Sequence, residues 1–309
     1  IIGLGGVDTR ALTRRLRATG AMRGVISTDC SSLADLVDQA RAIQPMEGCA
    51  LVDDVALKEP AALPAHGDPR CRIAVIDCGA KRNILRQLVA AGGAVTVVPP
   101  ATPAERILAD DYDGLVVSNG PGDPAALDQI QHTLRSLIGR LPILGICLGH
   151  QLLALALGAT TYKLKFGHHG ANHPVLDLDT GAVEITSQNH GFAVDEKSLV
   201  ATGAVVTHRN LYDGSIEGFR HPDHRLIAVQ HHPEAAPGPW DSRPVFERFL
   251  EMIAPAPGSD RRADDGGSHP ASGVEEPSSG AHHADPSEIE ITMQRRSASH
   301  PAAPASASR

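Results

Sequence analysis

An open, mostly parallel α/β sheet wrapped by helices, preceded by part of a smaller α/β domain, is the fold class predicted by this 309-residue sequence. Three observations predict it. Apolar runs of strand length alternate with segments of helical periodicity between residues 72 and 146, the pattern of βαβ units in a parallel sheet. A Pro- and Ala-rich stretch, residues 59–71, separates this region from an amino-terminal piece with amphipathic helices of its own. Finally, a Gly-x-Cys-x-Gly turn falls between an apolar strand and a helical run, a junction at home in α/β sheets.

Residues 1–58 carry helical spacing around 9–17 and 33–42 and form the partial first domain. Residues 59–71 read as a linker. The main domain, residues 72–253, starts with the apolar strand 72–77. A helix over 81–91 places Ile84, Leu85, Leu88 and Val89 on one face. Strand 94–98, helix 103–109, strand 114–117, helix 125–139 and strand 141–146 continue the alternation. After Gly158 the segments read as shorter and more strand-like (182–185, 204–207, 215–219 and 226–230), before a final helix over 245–253. Residues 254–309, rich in Ser, Ala, Pro, Gly and His, bury too little apolar surface to offset their ordering entropy and are expected to be a disordered tail.

Composition narrows the function. With 42% hydrophobic residues the chain can fill a sizeable core, and a net charge of −8 without a basic stripe argues against nucleic acid as a partner. No apolar run approaches the roughly 18 residues of a bilayer span. Five cysteines, an odd number without a Cys-x-x-Cys pair, point to a reducing, cytoplasmic setting and against both a disulfide framework and structural zinc. The start, Ile1-Ile2-Gly3, reads as a cut within a longer protein and not as a signal peptide.

Gly145-Ile146-Cys147-Leu148-Gly149 is the most informative stretch. Glycines on both sides relieve the crowding of a sharp strand-to-helix turn, so that the central side chain stands at the top of the sheet. There Cys147 meets the positive end of a helix dipole, which favours thiolate over thiol. A buried structural cysteine is the competing reading. A thiol nucleophile needs a base, and the base needs an orienting acid. His232-Pro233-Glu234, directly after the apolar run 226–229, supplies both: His232 to move the proton and Glu234 to fix its tautomer. The competing reading is an ordinary exposed turn. Gly120 and Gly122, in Ser118-Asn119-Gly120-Pro121-Gly122, suit backbone recognition of an oxyanion. Gln188-Asn189-His190-Gly191-Phe192 offers amide, backbone and ring to a substrate. His168, His169 and His173 invite a metal, but they read as a Gly-rich loop with no carboxylate at ligand spacing, so no metal is assigned.

Taken together, Gly145-Ile146-Cys147-Leu148-Gly149-His150-Gln151 and His232-Pro233-Glu234 resemble a class I (triad) glutamine amidotransferase. Three further segments, 77–84, 165–175 and 188–195, together with Val7-Asp8-Thr9-Arg10-Ala11-Leu12-Thr13-Arg14, resemble the small, glutamine-hydrolysing subunit of carbamoyl-phosphate synthase. They are not shared by the anthranilate, GMP or CTP amidotransferases. The resemblance spans residues 1 to about 253. It implies that Cys147 attacks the glutamine side-chain amide, giving a γ-glutamyl thioester and ammonia. It implies oxyanion N–H groups from Leu148 and a glycine of 120–122, and glutamine held by Gln151, Asn189, Gly191 and Phe192. It implies a large-subunit partner, in a heterodimer or a higher oligomer built from it, that uses ATP, Mg and bicarbonate to make carbamoyl phosphate for arginine and pyrimidine synthesis. This chain itself would carry no cofactor. The family's first domain is longer and supplies a serine contact to glutamine that this chain lacks, and Cys78 stands where the family usually has an aromatic. Two other readings remain: a catalytically silent scaffold for another protein, and a free-standing thiol hydrolase.

Overall fold

The computed structural model describes residues 3–28, 32–65 and 67–254. The tail expected to be disordered lies outside the described residues, except for its first residue. A ten-stranded sheet runs through the protein in the order β1-β3-β2-β4-β5-β10-β9-β8-β6-β7. Its centre is the parallel set β3 (Gly93–Val98), β2 (Cys71–Ile76), β4 (Gly114–Val117), β5 (Ile143–Ile146) and β10 (Leu226–Val229). Antiparallel strands β9 (Ile216–His221), β8 (Val205–Asn210), β6 (Thr161–Asp177) and β7 (Val183–Val194) extend it on one side.

The central strands are apolar on both faces because both faces are covered. Ala74 and Ile76 of β2 and Leu115 and Val117 of β4 join one core with helices α6 (Asp128–Leu137) and α7 (Leu148–Leu157). Their neighbours Ile73, Val75 and Val116 join the opposite core with α4 (Arg82–Ala90) and α9 (Pro244–Ile253). Side-chain alternation along a strand thus feeds two cores at once, which is why these strands read as continuous apolar runs. Ile84, Leu85, Leu88 and Val89 are the buried face of α4, as their spacing predicts. Phe246, Phe249, Leu250 and Ile253 do the same for α9. The single helix expected over 125–139 is divided: a 3-10 turn at Pro124–Ala126 precedes α6. Helices α5 (Ala104–Ala109) and α8 (Glu196–Ala201) complete the layer.

Residues 3–58 contribute α1 (Thr9–Thr19), α2 (Leu33–Ala42) and the short α3 (Val52–Val55), and no strand among the described residues. Neither α1 nor α2 buries a residue. The piece is tied to the main body by Val52 and Ala56, which join the core of Ala74 and Ile76, and by polar contacts: Gly48 N–H donates to Asp123 Oδ2, Asp123 N–H to the Cys49 carbonyl, and Leu57 N–H to Asp77 Oδ2.

Two expectations are corrected. The stretch read as linker contains β1 (Ala61–Leu63), paired antiparallel with β3; three apolar residues occupy what would otherwise be an open sheet edge. The segments after Gly158 are not uniformly short, since β6 has 17 residues and β7 has 12. The same finding places His168, His169 and His173 on a strand and not in a loop. Register shifts beside Gly167 and Gly170, both at positive φ, break the apolar–polar alternation that would have betrayed β6.

Candidate active site

Four neighbouring parallel strands, β2, β4, β5 and β10, end on the same side of the sheet, and the residues after each converge there. This is the crevice beyond the carboxyl ends of strands where open α/β sheets place ligands. β2 leads to Lys81, β4 to Gly120 and Gly122, β5 to Cys147, and β10 to His232 and Glu234.

The turn after β5 is as tight as the glycines suggest. Cys147 has φ 56° and ψ −103°, a conformation that costs a side-chain-bearing residue about 1–3 kcal/mol and persists only where its surroundings enforce it. Here they do. Cys147 N–H donates to the Val229 carbonyl at 2.9 Å, locking the end of β5 to β10. A Cβ on Gly149 would lie 2.1 Å from the Val117 carbonyl oxygen, and one on Gly145 would lie 2.5 Å from Leu153 Cδ1 and 2.9 Å from the Gly149 backbone. The first turn of α7 therefore sits directly on β4, with Cys147 at its N-cap.

The turn after β10 is fixed by its neighbours. Gln230 N–H donates to the Glu217 carbonyl on β9, and His232 N–H to the Ser187 carbonyl on β7. His232 Nδ1 lies 2.7 Å from Glu234 Oε1, both side chains being buried. Because Glu234 holds Nδ1–H, Nε2 is the nitrogen left to exchange a proton, and it is buried without a hydrogen-bond partner. Cys147 and His232 line the same cavity. Burial opposes charge on His232, but the Cys147 sulfur and the Glu234 carboxylate outweigh it, and the imidazole is pushed up to about 9. Nε2 and the sulfur do not yet have hydrogen-bond geometry; such contacts often tighten only when substrate is bound. For Glu234, burial would raise the carboxyl, but hydrogen bonding to His232 and the charges of His232 and Lys81 hold it below its ordinary value.

Lys81 and Asn83 are functional candidates that the reading of single residues missed. Lys81 Nζ is 3.1 Å from Glu234 Oε1, and Asn83 Nδ2 donates to the Glu234 carbonyl. Their signals were their place in a βα turn after an apolar strand and their presence in segment 77–84, one of those that carry the family resemblance.

A cavity of about 510 Å³ opens over the sulfur. Gly120, Gly122, Cys147, Leu148, Gln151, Asn189, Gly191, Phe192 and His232 all line it, whereas Glu234 stands behind His232. Gly120 is forced: a Cβ there would lie 2.1 Å from the Cys78 carbonyl oxygen. Gln151 donates through Nε2 to the Phe192 carbonyl at 2.8 Å and to Gln230 Oε1 at 2.9 Å, leaving its own carbonyl oxygen to accept from a ligand. The Asn189 carbonyl oxygen is 4.0 Å from Cys147 Sγ, and its side-chain oxygen is 3.0 Å from His169 Nδ1. Lys163 Nζ lies 5.6 Å from the centre of the Phe192 ring. Ala21, Met46 and Val55 of the amino-terminal piece close another wall. The arrangement can bind a small polar molecule, attack a carbonyl carbon with a thiolate and pass a proton to a leaving group.

Cys147 is itself 4% exposed, and it alone of the described cysteines lines the cavity. Cys49, Cys71 and Cys78, like Cys147, are free. Burial pushes the Cys78 thiol well up and raises Cys71 too, so both are core thiols. No described helix is long and apolar enough to cross a membrane.

Comparison with known proteins identifies the family. The glutamine amidotransferase class-I family matches residues 74–252. The carbamoyl phosphate synthase small chain of Syntrophotalea carbinolica is 50% identical over 265 residues, covering 82% of this chain and 70% of that protein. The small chains of Chlorobaculum tepidum and Methanopyrus kandleri are 52% and 50% identical, covering 82% and 81% of this chain and 69% and 70% of theirs. In fold, the chain is similar to a solved Thermoplasma acidophilum protein assigned to GMP synthase. The TM-score is 0.52 at 24% identity, over 61% of this chain and 95% of that one.

Proposed function

The chain belongs to the class-I glutamine amidotransferases and, within them, to the carbamoyl phosphate synthase small chains, and from this we propose how its own residues hydrolyse glutamine and whom they serve. It is the glutaminase subunit of carbamoyl phosphate synthase. Residues 72–253 form the amidotransferase domain, and the cavity above Cys147 takes the glutamine side chain.

The Cys147 thiolate attacks the side-chain amide carbon, forming the C–S bond as the carbonyl π pair moves onto oxygen. N–H groups of Leu148 and of Gly120 or Gly122 receive that oxyanion. His232, protonated at Nε2, gives its proton to the amide nitrogen. The C–N bond breaks, and ammonia leaves a γ-glutamyl thioester. His232, now neutral, takes a proton from water as the water attacks the thioester, and glutamate and the thiolate are restored. Glu234, backed by Lys81, holds Nδ1–H throughout, so that each transfer passes through Nε2. Gln151, Asn189, Gly191 and Phe192 orient the glutamine.

The carboxylate-oriented imidazole beside the strained Cys147, over one cavity, carries this reading. The partner is the large subunit, which uses ATP, Mg and bicarbonate and takes the ammonia into carbamoyl phosphate, in the cytoplasm, for arginine and pyrimidine synthesis. The test is Cys147→Ser in the assembled enzyme. Synthesis from glutamine should be abolished while synthesis from free ammonia persists; loss of both would make Cys147 a structural residue.

A further inference from the structure

Three strands beside the glutamine cavity gather polar side chains that the amidotransferase chemistry above does not use. His168 on β6, His190 on β7 and Glu217 on β9 are all buried. One ring nitrogen of each histidine and one Glu217 oxygen lie within 4.8 Å of one another. The β6–β7 register sets His168 directly opposite His190. We propose that these three residues bind a divalent transition-metal ion of the zinc class, clamping β6, β7 and β9 together beside Asn189 and Gly191.

His190 is held as metal-ligating histidines are, with one ring nitrogen bonded to an oxygen and the other left over, while His168 is oriented by Asp213 and turns Nδ1 toward Glu217. His190 Nδ1 lies 2.7 Å from the Phe192 carbonyl oxygen and must be the N–H, so the lone pair is on Nε2, which is buried and has no partner. His168 Nε2 lies 2.8 Å from Asp213 Oδ2, and its Nδ1 lies 3.3 Å from Glu217 Oε1. Glu217 is oriented in turn: Gln188 Nε2 donates to Oε2 and Asn210 Nδ2 to Oε1, each at 2.8 Å. Two imidazoles and a carboxylate are a zinc donor set with a fourth position left for water. Gln188 Oε1, a buried oxygen without a partner, could accept a hydrogen bond from that water. Imidazole donors favour zinc, cobalt or nickel over magnesium or calcium. His190 also borders the glutamine cavity. The site does not depend on the glutaminase reading.

The experiment titrates the chelator-treated full chain with Co2+ and then displaces it with Zn2+. We expect about one equivalent bound, with the visible bands of a tetrahedral nitrogen–oxygen site and no cobalt–thiolate charge transfer, unchanged in Cys147→Ser. Asp213→Asn, which removes the carboxylate behind His168, should weaken affinity by about 10- to 100-fold. His190→Asn should lose the bands. No stoichiometric binding, or binding that is lost with Cys147 and kept without His190, would overturn the proposal. If His190→Asn does not fold, X-ray absorption of the zinc-loaded wild-type chain decides: an imidazole shell without sulfur supports the site, and a sulfur shell overturns it.

Discussion

Gly149→Ala tests whether the seating of α7 on β4 is what makes Cys147 a nucleophile. The new Cβ would stand 2.1 Å from the Val117 carbonyl oxygen. Ordinary carbon–oxygen contact begins near 3.3 Å, so the first turn of α7 must rise by about 1.2 Å. Neither atom belongs to a flexible side chain that could move aside. Overpacking of this kind costs about 1–3 kcal/mol of stability. The same displacement shifts the sulfur and the Leu148 N–H against His232, and a misplacement near 1 Å can cost on the order of 100-fold in rate. The assay is glutamine turnover by the complex, beside urea unfolding of the chain. Gly24→Ala is the control, because nothing lies within 4 Å of its added Cβ. We expect Gly149→Ala to lose both stability and turnover and Gly24→Ala to keep both. Wild-type turnover in Gly149→Ala would refute the claim that the elbow geometry is required.

Other outcomes follow from the same geometry. His232→Asn should lower glutamine turnover by about two orders of magnitude or more, as loss of a general acid–base does; a change within about threefold would contradict its role. Because His232 is raised above its ordinary value to about 9, its charged form, with the stability that form contributes, is fully present below about 6.5 and is lost as pH rises through about 9. The kcat/KM profile should therefore fall on its alkaline limb near pH 9. In Cys147→Ala the NMR titration of His232 should move downward, since the sulfur's contribution is gone; an unmoved value would show that the two side chains do not interact. Iodoacetamide at neutral pH should label Cys147, which lines the cavity beside His232, before Cys71 and Cys78, which do not reach it. Prior labelling of either core thiol would count against the elbow.

The sequence disclosed most where local chemistry and fold agree. The glycines at 145 and 149, the apolar run before them and the leucine-rich run after them each specify the same sharp turn, and the structure has it. Helix α4 was legible because its four buried residues follow a 3.6-residue period. What stayed hidden depends on partners distant in sequence. Glu217 sits 49 residues beyond His168 in sequence, and only the antiparallel extension of the sheet brings them to 3.3 Å. The support of Glu234 by Lys81 and Asn83 spans the whole domain and leaves no periodic mark. Strand β6 escaped because its glycines introduce register shifts where alternation should run. Strand β1 escaped because Pro and Ala around it outweighed three strand residues that find an open edge.

The central claim is a covalent intermediate on one sulfur. Acid quenching of the assembled enzyme during turnover of labelled glutamine, followed by peptide mapping, tests it most directly. The label should appear on the peptide holding Cys147 as a γ-glutamyl thioester released by hydroxylamine, and should be absent from Cys147→Ser. Full glutamine turnover with no label on Cys147, or with the label on another residue, would contradict the mechanism.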